Sequence, residues 1–158
     1  MSTRHKAREM ALQILYSMDI LGDDTDELFD GLGELVSPKQ APSNFCRRLV
    51  RGVIDHRSDL DRIIEAHSSN WKVYRMSGVD RNILRLAAFE MLYCEDIPAK
   101  VSINEAIEMG KKFGTDETGP FVNGVLDAVR QHHGLNSLPE TTQAETEPGT
   151  RNDQDQSA

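Results

Sequence analysis

Residues 97–127 read IPAKVSINEAIEMGKKFGTDETGPFVNGVLD, and the fold turns on how they are read. Pro98 disfavours helix in the residue before it, so Ile97 ends whatever precedes it. Ser102 stands three residues ahead of Glu105, the spacing of a capping box in which each side chain satisfies a backbone N–H at a helix start. Ile103, Ala106, Ile107, Gly110 and Phe113 follow at helical spacing and make one apolar face. Gly114 suits a helix end. Pro120 suits the first turn of the next helix, with Thr118 or Gly119 as its cap. Phe121, Val122, Val125, Leu126 and Val129 then form a second apolar stripe. The stretch is expected to be helix, short polar loop, helix. Asn123-Gly124 has two readings: an asparagine contacting a ligand, or a glycine admitting a neighbouring helix beside a capping asparagine.

Working outward, residues 79–93 (VDRNILRLAAFEMLY) are apolar almost all round, which places that helix at the centre of a bundle. Glu90 sits among those apolar neighbours and is expected to be paired, because an unpaired buried carboxylate is prohibitively costly. Asp80, Arg81, Arg85 and Ala88 make a smaller polar margin, a candidate partner surface. Upstream, Ser43 caps a long helix reaching about His67, with a kink expected near Gly52 to Ser58. Arg47, Arg48, Arg51 and Arg57 on it are interleaved with Asp55, Asp59 and Asp61, the pattern of a solvated, salt-bridged face. Glu27 to Val36 is a shorter helix, weakened by Gly31 and Gly33. Trp71 and Tyr74, in the connection before the central helix, are read as a lid over the core in preference to a binding platform.

The first helix starts after Ser2 or Thr3. Ala7, Met10, Ala11, Ile14, Leu15 and Met18 occupy an arc of roughly 140° at 100° per residue. His5, Arg8, Leu12 and Tyr16 fall on the opposite side of the wheel. A tyrosine two turns from an arginine can stack an unpaired base while the arginine holds phosphate; alternatively, Leu12 and Tyr16 pack under another helix.

At 158 residues the chain is expected to hold one domain. It shows no run of about 18 apolar residues and no basic-then-apolar leader, and it reads as soluble and cytoplasmic. Cys46 and Cys94 are expected to be reduced core thiols. The net charge is −8, of which the segment 139–158 carries −4. Arg4, His5, Lys6 and Arg8 all precede the first acid, Glu9, and such a local patch can bind phosphate even on an acidic protein. Residues 136–158 are too poor in large apolar groups to order themselves. No HExxH, CxxC, GxSxG, P-loop or GxGxxG pattern occurs, so no enzyme, metal or cofactor is expected. His132-His133 reads as a cationic helix end.

Three blocks carry a resemblance: AREMALQILYSMDI at residues 7–20, VDRNILRLAAFEML at 79–92, and VSINEAIEMGKKFG with FVNGVLD in the opening stretch. In this order they resemble the NusB family of bacterial transcription antitermination factors, over roughly residues 4–130. The resemblance implies an all-α fold of about seven helices in two small packed bundles. It implies an RNA-binding domain over residues 1–135, which leaves 136–158 as the acidic, disordered tail expected from composition. It further implies binding of boxA, a short single-stranded stretch of nascent RNA, together with NusE, a small-subunit ribosomal protein, in an assembly with RNA polymerase and other Nus factors. Carried onto this chain, the RNA surface falls on Arg4, His5, Lys6, Arg8, Tyr16, Asp116, Glu117 and Phe121. The face toward NusE falls on Asp80, Arg81 and Arg85. Relatives occur as monomers and homodimers, and both remain open. Two other readings compete: an RNA-recognition module of the kind attached to ribosomal RNA cytosine methyltransferases, and a helical bundle that binds proteins alone.

Overall fold

The structure is a computed structural model describing residues 3–69 and 71–135; the expected acidic tail and a cap at Ser2 lie outside them. The described residues form six α-helices and no strand. These are α1 (Thr3–Leu21), α2 (Asp26–Val36), α3 (Asn44–Ala66), α4 (Gly78–Tyr93), α5 (Ala99–Phe113) and α6 (Thr118–His132), with a single 3-10 turn, Val73–Arg75, ahead of α4. None of these helices is long and apolar enough to cross a membrane.

Helices α1–α3 pack together, α4–α6 pack together, and α4 joins the two groups by lying against both α1 and α3. Residues 82–91 of α4 are all buried, as expected of a helix apolar around its circumference. Thr25, Ser43 and Ser77 cap α2, α3 and α4 by accepting the N–H of Leu28, Cys46 and Asp80. The expected kink in α3 is present: His56 has φ −115° and ψ 16°, and its ring stacks on Tyr93 with centroids 4.0 Å apart. Beside the bend, Gly52 lies directly under the Phe89 ring, where a Cβ would collide with it. Cys46 and Cys94 are buried free thiols, and burial pushes Cys46 up to about 11.

Several expectations are corrected. Ser102 does not open a helix. α5 begins at Ala99, preceded by Pro98, and Ser102 is a buried residue inside it. α6 begins at Thr118 with Glu117 at its cap position, one or two residues earlier than expected. A Cβ on Gly124 would meet nothing within 4 Å, so that glycine admits no neighbouring helix. The close approaches lie instead at Gly33, Gly52, Gly78, Gly110 and Gly114, with Gly110 set against the start of α6. Trp71 and Tyr74 do not cover the core: they are 53% and 73% exposed. Val73 and Met76 point inward in their place.

Candidate nucleic-acid interface

The first turns of α1 lie across α5 and the α4–α5 junction, and this contact sorts the N-terminal basic residues. Arg4 is exposed; it reaches Asp96 at 3.3 Å and sits over the Phe45 ring at 4.3 Å. Arg48 shares the same carboxylate at 2.8 Å. The Arg48 hydrogen bond and charge, with a further hydrogen bond from Arg4, hold Asp96 down at about 2. Lys6 is exposed. His5 lies between two acids, its Nδ1 2.7 Å from Glu105 and its Nε2 3.0 Å from Glu9.

Arg8 departs from the helical-wheel reading. It is 3% exposed, and its guanidinium donates to both oxygens of Glu90, from Nε at 2.8 Å and from Nη2 at 3.0 Å. Ser102 Oγ donates to the same carboxylate at 2.8 Å. Glu90 is therefore paired, as its surroundings require, and its partner is the arginine assigned to RNA. The reason is geometric: helices pack on several sides of α1, and its buried arc runs roughly 60° past the expected edge. That extra arc takes in Arg8 and Leu12 and stops at His5 and Tyr16. Arg8 has no exposed face to offer a phosphate.

The margin of α4 is also largely committed. Arg85 is 6% exposed, forks onto Asp61 at 2.8 and 3.0 Å, and lies 3.4 Å from Asp19. Ala88 is fully buried. Arg81 donates to Asp19 at 2.6 Å and to the Met76 carbonyl at 2.9 Å. Burial would raise Asp19, but hydrogen bonds from Arg81 and Asn82 and the charge of Arg85 outweigh it, leaving the carboxyl below its ordinary value. These arginines bind α4 to α1 and α3. Asp80 stays half-buried and accepts from Thr118 Oγ1 at 2.8 Å, which ties the start of α4 to the start of α6.

One concavity collects residues that sequence reading assigned to different roles. Asp80, Glu117 and Phe121 line it together with Trp71, Arg75 and Met76, around a volume of about 320 Å³. Phe121 is half-buried, with Glu117 exposed beside it. Tyr16, 39% exposed, reaches the same end of α4, where a Cβ on Gly78 would lie 2.7 Å from its ring. Twelve residues of helix rise put Tyr16 about 18 Å from Arg4, so the basic end of α1 and this aromatic end are two separate stations. Asp116 lines the neighbouring groove between α5 and α6, with Lys111 and Asn123. Sequence reading set Trp71 aside as a lid over the core and passed over Arg75. The available signal was the run WKVYR at 71–75, where aromatic and basic residues interleave around a single buried valine.

Against known proteins, the NusB family profile matches residues 5–131. The transcription antitermination protein NusB of Desulfatibacillum aliphaticivorans is 47% identical over 134 residues, covering 85% of this chain and 94% of that protein. A solved NusB of T. maritima superposes with a TM-score of 0.73 at 33% identity, over 87% of this chain and 95% of its own. A chain from a crystal structure of antitermination factors NusB and NusE in complex with dsRNA gives 0.73 at 29%, over 83% and 99%. Sequence match and superposition run through both helical groups, and the chain belongs to the NusB family.

Proposed function

We propose that this protein is a cytoplasmic transcription antitermination factor. It binds single-stranded boxA RNA jointly with a NusE-type ribosomal protein and helps RNA polymerase, with other Nus factors, to read through terminators. Residues 1–135 form the RNA-binding unit and 136–158 an acidic extension. The observation that carries the reading is the concavity at the starts of α4 and α6. There a half-buried phenylalanine is offered beside polar side chains in a chain of this family. Phe121 stacks an unpaired base. Arg4 and Lys6 hold phosphates at the other end of α1, and His5 contributes beside them. Asp116 and Glu117 border the RNA and restrain its affinity by repelling phosphate. Tyr16 belongs to the RNA surface, and Asp80 with Arg81 beside it to the face toward the protein partner, whereas Arg8 and Arg85 act as internal braces.

The test is fluorescence anisotropy of a labelled boxA-type RNA against a scrambled control, with and without a NusE-type protein. Preference for boxA, strengthened by the partner and lost in Lys6→Ala/Phe121→Ala, supports the reading. Tight protein binding with no RNA preference leaves an interaction module. Two phosphate contacts give a salt slope of about −1.4 and three about −2.1; a slope near zero removes the basic station from the site.

A further inference from the structure

Trp71 and Tyr74 are large aromatic groups that the fold leaves in water, on a segment it holds firmly. Ser68 is 3% exposed; its Oγ donates to the Trp71 carbonyl at 2.8 Å, and its own carbonyl accepts the Trp71 N–H at 3.0 Å. The next N–H but one, that of Val73, donates to Glu65 at 2.9 Å. Val73 and Met76 are buried at 3% and 5%. The side chains between these anchors face outward from a fixed mount. Arg75 lies 5.8 Å from the centre of the Tyr74 ring. Lys72 stands alongside, 3.9 Å from Glu65. An open depression lined by Trp71, Lys72, Tyr74 and Arg75 adjoins the concavity of Phe121, because Trp71 and Arg75 line both.

We propose that Trp71 and Tyr74 are a second stacking station for single-stranded RNA, taking one or two unpaired nucleotides that flank those on Phe121. Lys72 and Arg75 draw in the phosphates between them. The inference rests on the proposed RNA-binding function and extends its site. Three features select RNA over a protein segment. The two depressions are continuous, the exposed flat rings are interleaved with cations on an otherwise acidic chain, and their rigid backing lets bases stack without ordering a loop. Asp80 and Glu117 line the Phe121 concavity, whereas the charged side chains lining the adjoining depression are Lys72 and Arg75.

Trp71 is the sole tryptophan, so its emission reports this position alone. The protein is titrated with a boxA-type RNA, with the same RNA lengthened by three nucleotides at either end, and with a NusE-type protein. Binding is followed in parallel by anisotropy of the labelled RNA. The expected result is quenching of Trp71 by the lengthened RNA. Affinity for it should be roughly five- to thirtyfold weaker in Trp71→Ala, with Trp71→Phe restoring most of the loss and the short RNA little affected. RNA bound by anisotropy with neither quenching nor loss in Trp71→Ala overturns the second station and leaves the proposed function standing. Absence of RNA binding altogether overturns that function and this inference with it. Quenching by the NusE-type protein alone overturns it in favour of a protein contact.

Discussion

The ionic centre around Glu90 and the aromatic margin around Trp71 invert what residue type suggests. In the first, an arginine, a glutamate and a serine from α1, α4 and α5 are buried and consumed by one another. In the second, a tryptophan, a tyrosine and a half-buried phenylalanine border open depressions. A buried charge is tolerated when it is paired and hydrogen-bonded, as at Glu90, whose two oxygens accept three donors. A ring stays in water when its backbone is anchored and no helix passes over it. Buried charge in this protein therefore braces helices, whereas the aromatic margin stays exposed beside basic side chains.

The largest test of that contrast removes one half of the buried pair. Glu90→Ala strands Arg8 in the interior and should cost about 3–5 kcal/mol in urea denaturation. Arg8→Ala should be comparably damaging, and whatever remains folded should keep its RNA affinity. A stable Arg8→Ala protein with weakened RNA binding would restore Arg8 to the interface. Next in size, Gly52→Ala drives a methyl into the Phe89 ring beneath the α3 bend and should cost about 1–3 kcal/mol in thermal or chemical unfolding. An unchanged stability would mean that Phe89 moves freely.

Smaller effects sharpen the surface side. Glu117→Gln removes a carboxylate beside Phe121 and should tighten RNA binding severalfold in anisotropy; unchanged or weaker binding would move the RNA away from that residue. Asp96 tests the exposed ion pairs. Its folded value, about 2, lies below the ordinary carboxylate value of about 3.9, so its contribution is present above pH 4 and lost as pH falls toward 2. The carboxylate is half exposed, and Asp96→Asn should lower stability at neutral pH by less than about 1 kcal/mol. The variant and the parent should converge in acid; a constant gap from pH 2 to 7 would assign the effect to something other than charge.

Much of this was legible in the chain. The all-buried α4, the apolar stripes of α5 and α6, the Ser43 cap and the bend near His56 follow from periodicity and local hydrogen-bonding chemistry, which act within a few residues. The demand that Glu90 be paired was legible too, because it follows from burial alone. Its partner was not, since Arg8 lies 82 residues away and reaches it only through the crossing of α1 and α4. Ser102 misled for the same reason: its spacing from Glu105 satisfies a local rule, yet its hydroxyl serves Glu90.

The helices, the family resemblance and the identity of the central helix are properties of pattern along the chain, and local order is enough to read them. Which polar and aromatic groups stay exposed is settled by packing between helices. Exposure depends on what packs over a residue, and the helices that cover Arg8 and leave Trp71 bare come from distant parts of the chain.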